Sequence, residues 1–200
     1  MTKPIYYKSF RSRKFEDFIP PEKSIAEVIS QQTSIILDIG FGVGDSTISL
    51  RKMFPKHLVC GIEAYKPGVK NLNAHGIPVE HGDAVEIIEK LEANTMSQIY
   101  LLFPDPWQKS KHRKRRLLND YSFEIINRLL VKGGLFHFTT DNVNYAFETR
   151  DVIRKLSLRK IDFSKHRGSR PITKYEIKGL KKRNFIFDLI YFKSWLDFSR

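Results

Sequence analysis

Five short apolar runs, each followed by a segment of helical spacing, set the architecture open to this chain. The runs cover residues 34–39, 58–62, 77–79, 99–103 and 135–140, and the helical stretches cover 45–53, 67–75, 85–91, 117–130 and 144–156. Runs this short and this apolar suit strands buried on both faces of a parallel sheet. Strict alternation of strand and helix predicts a mostly parallel α/β sheet with helices on both faces. A sixth strand is expected at 158–163 and a seventh, rich in aromatic and β-branched residues, at 185–192, making the sheet seven-stranded. Ile48, and then Tyr121, Ile125 and Leu129, are expected to face inward, and Gly133-Gly134 to stop the helix before the fifth strand. A short helix at 22–31, with Ile25, Val28 and Ile29 on one face, precedes the first strand. Pro20-Pro21 separates it from a basic arm, residues 1–21, so 22–200 reads as a single domain.

The turn after the first strand reads Asp38-Ile39-Gly40-Phe41-Gly42-Val43-Gly44. Glycines between a strand and a helix let the backbone approach a cofactor closely, with the helix N-terminus facing it. Glu63 closes the second strand 23 residues after Gly40, the position of a carboxylate that accepts from the ribose hydroxyls of a nucleoside. Asp83 follows the third strand, where it can accept from an adenine amino group or simply cap the next helix. Asp38 would repel a pyrophosphate at this turn, and the glycine spacing departs from the dinucleotide form, which wants glycine at Asp45. A cationic sulfonium with an amino-acid tail suits such an acid, which favours S-adenosylmethionine over a nicotinamide dinucleotide. Asp38 can equally serve as a turn or capping residue.

After the fourth strand comes Phe103-Pro104-Asp105-Pro106-Trp107, then six Lys or Arg in the eight residues from Lys109 to Arg116. The prolines push Phe103 and Asp105 toward extended backbone and place Asp105 on a stiff turn at the strand's carboxyl end, where open α/β sheets bind ligands. Trp107 suits turn packing better than base stacking. Lys109, Arg113 and Arg115 suit phosphate contacts better than base edges.

Net charge of +13 is concentrated in three segments: 1–14, 109–116, and 165–183, the last with Glu176 as its lone acid. The remainder is mildly acidic. Basicity arranged this way points to a polyanion, most simply nucleic acid. For Glu176 the ordinary reading is an ion pair with Lys174 or Lys178, the bolder one base recognition. No apolar run approaches the roughly 20 residues of a membrane span, and the N-terminus lacks a signal-peptide core, so a soluble cytoplasmic protein is expected. Cys60, the single cysteine, sits in an apolar run as a core residue, and nothing suggests a metal site.

Taken together, Asp38 to Gly44, Gly61-Ile62-Glu63 with Pro67-Gly68, Asp83 to Glu86, Phe103 to Trp107 with Lys109 and Lys114-Arg115-Arg116, Thr140-Asp141, and Arg170-Pro171 with Thr173-Lys174-Tyr175-Glu176 resemble the bacterial tRNA (guanine-N7-)-methyltransferases. The resemblance covers Ile36 to about Leu189. It implies a Rossmann-like class I methyltransferase fold, S-adenosylmethionine as cofactor, and methylation of guanine 46 in the tRNA variable loop. Cofactor contacts are then implied for Asp38, Gly40, Gly42, Glu63, Asp83 and Asp105, the last also catalytic. Substrate contacts are implied for Lys109, Asp141, Thr173, Lys174, Tyr175 and Glu176. Asp141 reads, without the resemblance, as a possible cap of the next helix. The chain departs from the family pattern in Asp38 for Glu, Gln108 for His, Tyr175 for Phe, and Arg183-Asn184 where a late Gly is usual, Asn being tolerant of positive φ.

Guanine N7 already carries a lone pair, so its methylation needs no general base. Asp105 is expected to orient guanine and to stabilise the charge that develops on the ring. The alternatives are a methyltransferase of another RNA and a nonenzymatic RNA-binding domain.

Overall fold

The computed structural model describes residues 3–4, 24–30 and 33–194. The expected basic arm at 1–21 lies outside the described residues except for Lys3 and Pro4, as do both ends of the helix expected at 22–31. Its centre is α1, Ile25–Ile29, which opens on a capping box in which Ser24 and Glu27 bond each other's backbone N–H.

Six strands form one sheet: β1 (Ile35–Ile39), β2 (Leu58–Glu63), β3 (Val79–His81), β4 (Met96–Leu102), β5 (Leu130–Thr140) and β6 (Phe187–Phe192). Their order is β3-β2-β1-β4-β5-β6, parallel throughout except for the antiparallel β5–β6 pair. Between them lie α2 (Asp45–Met53), α3 (Lys66–Ala74), α4 (Ala84–Lys90), α5 (Asp120–Leu129), α6 (Val143–Ser157) and α7 (Lys174–Lys181), with a 3₁₀ helix at Ser110–Arg115.

Period-two alternation divides the core between the two faces of the sheet. Ile35, Leu37 and Ile39 join Ile99 and Leu101 beneath α4, α5 and α6, where Ile88, Phe123, Ile126, Tyr145 and Ile153 complete the larger layer. Ile36, Val59, Tyr100 and Leu102 face the other way and meet Leu50 of α2. Phe41, Val69 and Leu72 extend that layer under α3. Cys60 is fully buried as expected, and burial, with a smaller contribution from the Asp38 charge, pushes its thiol up to about 12.

Several expectations change. The sheet has six strands rather than seven among the described residues, because 158–163 does not pair as a strand. Leu158 closes α6 in the left-handed conformation, and the chain then runs over the sheet edge, with the Ile161 carbonyl held by Arg154 Nε at 2.6 Å and Ser164 N–H on the Asp188 carbonyl. Gly133-Gly134 does not stop a helix. Helix α5 ends at Leu129, and both glycines lie within β5, in the irregular stretch where its pairing with β4 shifts register. The buried stripe of α5 is Phe123, Ile126 and Leu129, with Ser122, whereas Tyr121 and Ile125 are half-buried. Tyr121 turns its hydroxyl out to Glu89, as a phenol that needs a polar partner does. Ile48 is likewise half-buried while Thr47 and Leu50 are interior. The third strand starts at Val79 rather than Ile77, and α7 occupies a segment that the sequence shows only as basic.

Candidate nucleotide and RNA site at the strand carboxyl ends

Parallel pairing brings the carboxyl ends of β1 to β5 to one edge of the molecule, and with them Asp38, Glu63, Asp83, Asp105 and Asp141. Because β6 runs antiparallel, its first residue, Phe187, pairs with Thr140 at the end of β5. The preceding α7 is therefore delivered to the same edge. That placement, which spacing alone does not reveal, unites the Thr173–Glu176 block with the acids.

The glycine turn leaves β1 beside β2. Gly40 and Gly42 have φ of +71° and +63°, and an added Cβ on either would meet nothing within 4 Å. The turn thus presents bare backbone to open space, a cradle that a ligand can approach as closely as a side chain would. Glu63 braces it. One carboxylate oxygen accepts from Gly42 N–H at 2.6 Å, and the other from Ala64 and Tyr65 N–H at 2.7 and 2.8 Å. An ionised carboxylate has about four acceptor positions, so these bonds leave room for another donor. Burial raises the Glu63 pKa, the nearby Asp105 charge adds to it, and the three backbone donors oppose both.

Asp38, on β1, is 1% exposed. Its Oδ2 accepts from the Ser46 and Thr47 hydroxyls on the first turn of α2, both at 2.8 Å, while Oδ1 has no partner among the described residues. Burial pushes its pKa up to about 6 against those two hydrogen bonds, and Glu63 adds to the rise. Asp83 caps α4, its Oδ1 accepting from Val85 and Glu86 N–H. The cap leaves Oδ2 free for a ligand, and Gly82 N–H bonds the Glu63 carbonyl at 3.1 Å, tying this corner to the glycine turn.

The Pro-Asp-Pro turn differs from expectation. Phe103 is left-handed, φ +52°, as is Trp107, φ +42°. Proline after Phe103 disfavours its right-handed helical region, but extended backbone would carry the chain straight on; Phe103 instead keeps its ladder bond, N–H to the Thr139 carbonyl at 2.8 Å, and turns. Two left-handed non-glycine residues flank Asp105, which is exposed and close enough to Glu63 to raise its pKa. Trp107 is half-buried and serves the turn, with Arg115 4.9 Å above its ring and His112 against its edge. Lys109 is exposed and starts the 3₁₀ helix, along whose outer side Lys111, Arg113 and Lys114 are also exposed.

Thr173 caps α7 through a bond from Glu176 N–H. Tyr175 is half-exposed and stacks on Phe103, with ring centroids 6.5 Å apart, while Lys174 and Lys178 ammonium groups lie 5.5 and 5.9 Å from its ring. Glu176 is buried and pairs with Arg170 and Arg167, not with Lys174 or Lys178. Asp141 does not cap α6, since Asn142 does; it accepts from Asn184 Nδ2 at 2.9 Å and lies against Gly179. The turn lacking the usual late glycine survives through Arg183, φ +59°, not Asn184. Arg183 and Asn184 N–H bond the Leu180 and Gly179 carbonyls, the bonding of a Schellman end.

A buried polar link that the sequence does not reveal supports this arrangement. Asp188, on β6, accepts from His137, Thr139 and Arg170, and Arg170 carries the link on to Glu176. A lone acid in an otherwise apolar strand was the available signal. A separate cleft of about 370 Å³, lined by Arg113, Asp120, Glu148 and Lys155, includes none of the strand-end acids. Among the described residues no group of three or more His, Cys, Asp or Glu is placed to hold a metal.

A buried acid for a cationic group, a braced carboxylate, and a bare glycine cradle fit a nucleoside that bears a sulfonium. Residues 32–189 match a family model described as "Putative methyltransferase". A tRNA (guanine-N(7)-)-methyltransferase of Buchnera aphidicola subsp. Acyrthosiphon pisum is 34% identical over 88% of this chain and 79% of its own length. One from Shewanella halifaxensis is 32% identical over the same shares. Among solved structures, a SAM-dependent methyltransferase from Archaeoglobus fulgidus superposes with a TM-score of 0.56 at 13% identity, covering 92% of this chain and all of that one. An aminoglycoside resistance methyltransferase gives 0.54 at 20%, covering 84% and 90%. These two likenesses establish the fold, a Rossmann-like methyltransferase sheet.

Proposed function

Because the chain belongs to the tRNA (guanine-N7-)-methyltransferase family, we propose that it methylates N7 of guanine in tRNA, at position 46 of the variable loop. It is an S-adenosylmethionine-dependent enzyme. The single observation that carries the substrate reading is the adjacency of the Asp105 turn to both the Glu63-braced glycine cradle and the cationic 3₁₀ helix.

The cofactor supplies an electrophilic methyl group on a sulfonium. For its binding we assign Asp38 to the cationic amino-acid tail, Glu63 to the ribose hydroxyls, Asp83 to the adenine amino group, and Gly40 and Gly42 to close backbone contact. Asp105 accepts from the guanine N1 and N2 donors, which orients N7 and stabilises the charge passing to the ring. No proton leaves N7, so no general base is required. Tyr175 offers guanine a π face, and Thr173, Lys174 and Asp141 line the same edge, with Glu176 anchoring α7 from below. Lys109 and the exposed cations after it hold phosphate, which sets register.

We place the enzyme in the cytoplasm with tRNA as its partner and without metal, as a single domain over 22–200 preceded by the basic arm at 1–21. No described helix is long and apolar enough to cross a membrane. The test is transfer of labelled methyl to unmodified tRNA followed by nucleoside analysis. 7-Methylguanosine at position 46 is expected; label on another base, or only on another RNA, would assign a different substrate. Absence of S-adenosylmethionine binding by calorimetry would leave only an RNA-binding domain.

A further inference from the structure

We propose that Arg116, the last cation of the basic run, is a positioning residue that holds the Asp105 turn in its working shape and does not contact RNA. The inference rests on the methyltransferase reading above. Sequence makes Arg116 one of six equivalent cations; structure separates it. Arg116 is 3% exposed, whereas Lys109, Lys111, Arg113 and Lys114 are exposed. A guanidinium shut away from solvent cannot exchange its counterions for phosphates.

Its bonds run inward. Nε donates to the Pro106 carbonyl at 2.8 Å, one residue past Asp105. Nη1 pairs with Glu148 of α6, and the guanidinium carbon lies 4.7 Å from the Tyr145 ring centroid. Tyr145 is itself fixed, fully buried with its hydroxyl accepting from Leu118 N–H at 2.9 Å. Arg116 thus ties the Pro-Asp-Pro turn to α6. Such a tie is needed here because the backbone on both sides of Asp105 is left-handed at non-glycine residues, and strained conformations of this kind persist only where the surroundings over-determine them. Only a planar, forked cation meets a carbonyl, a carboxylate and a ring face at once, which is a reason for arginine at this position.

The test compares Arg116→Ala, Arg116→Lys and Glu148→Gln with the exposed Lys114→Ala, reading kcat and KM for tRNA, S-adenosylmethionine affinity by calorimetry, and tRNA affinity at several salt concentrations. Expected for both Arg116 variants is a kcat loss of roughly tenfold or more, since displacing a reacting geometry by about 1 Å can cost on the order of a hundredfold. Both affinities and the salt slope should stay within about twofold of wild type, and Glu148→Gln should shift kcat in the same direction by less. Lys114→Ala, at an exposed cation assigned to phosphate, should instead raise KM for tRNA and flatten the salt slope. Arg116 variants that keep kcat, whether they lose tRNA affinity and salt slope or show no change, overturn the proposal. Should Arg116→Ala fail to fold, Arg116→Lys and Glu148→Gln decide on the same split. Wild-type protein that yields no 7-methylguanosine fails earlier, and refutes the methyltransferase reading itself.

Discussion

Arg170 Nη1 donates to Glu176 Oε2 at 2.6 Å while the same guanidinium holds Asp188 through Nη2 at 2.9 Å, all three side chains being buried. One cation thereby links a strand of the sheet to the helix that Thr173 caps and that carries Tyr175. Lys174 and Lys178 are each two residues from Glu176, and side chains two apart on a helix do not face each other. The partner had to come from outside α7, and only the fold of the 164–173 segment supplies it.

Asp188→Asn should destabilise the protein by about 3 kcal/mol, the usual order for breaking a buried ion pair from one side. Urea unfolding measures it. Burial pushes the Asp188 pKa up, but bonds from His137, Arg170 and Thr139 together with the Arg170 charge outweigh it and hold it at about 2. A carboxyl depressed in the folded state contributes stability above its ordinary pKa of about 4, and that contribution is lost as pH falls toward 2. The stability difference between wild type and variant should therefore shrink across that window.

Asp38 has the opposite sign. Its folded pKa is raised to about 6 by burial, so between about pH 4 and 6 the folded chain binds more protons than the unfolded one. Stability should fall as pH rises through that window, by on the order of 3 kcal/mol. Asp38→Asn keeps an acceptor for Ser46 and Thr47 and should flatten the profile, making the variant more stable than wild type at pH 7.5 but not at pH 4. Binding of the cationic cofactor to the ionised carboxylate should release protons near pH 6. Calorimetry in buffers of different ionisation enthalpy would show that release, and its absence would remove Asp38 from the cofactor site.

Gly68 packs so closely against the glycine turn that an added Cβ would stand 1.7 Å from the Gly42 carbonyl oxygen. Backbone must move to relieve that, and overpacking of this kind costs about 1–3 kcal/mol. Gly68→Ala should lower thermal stability and weaken S-adenosylmethionine binding at least tenfold while sparing tRNA affinity. Unchanged cofactor binding would show that the turn is not the cradle.

Asp105→Ala should lose at least a hundredfold in turnover, the order seen when a preorganised stabilising group is removed. Cofactor affinity should change severalfold at most, because Asp38, Glu63 and Asp83 remain. Single-turnover methyl transfer read beside equilibrium binding separates the two. Near wild-type turnover would exclude the assigned role.

Strand positions on β1 and β2 were legible in the sequence to within a residue, and the core of β4 as well, although that strand starts at Met96 and ends at Leu102 rather than covering 99–103, because short apolar runs bounded by glycine, proline or acids admit few other readings. The strand-end acids followed from the same pattern. The run at 158–163 misled because local β propensity says nothing about whether a partner edge is available, and here β6 already occupies the edge of β5. Helix α7 was hidden by its charge. Its apolar positions are few, and the residues that hold it down are a buried acid and arginine rather than a stripe.

Sequence alone determined the alternating α/β sheet, the glycine turn with its acids, and the excess of cations, because each depends on neighbouring residues or on a period of two or about four. Tertiary structure decided the surroundings of each charge. Arg116 and Lys114, two residues apart in one basic run, differ because one guanidinium is enclosed by Pro106, Glu148 and Tyr145 while the other side chain faces solvent. Burial and partner geometry, which depend on residues far away along the chain, convert identical formal charges into a clamp in one place and an exposed cation in the other.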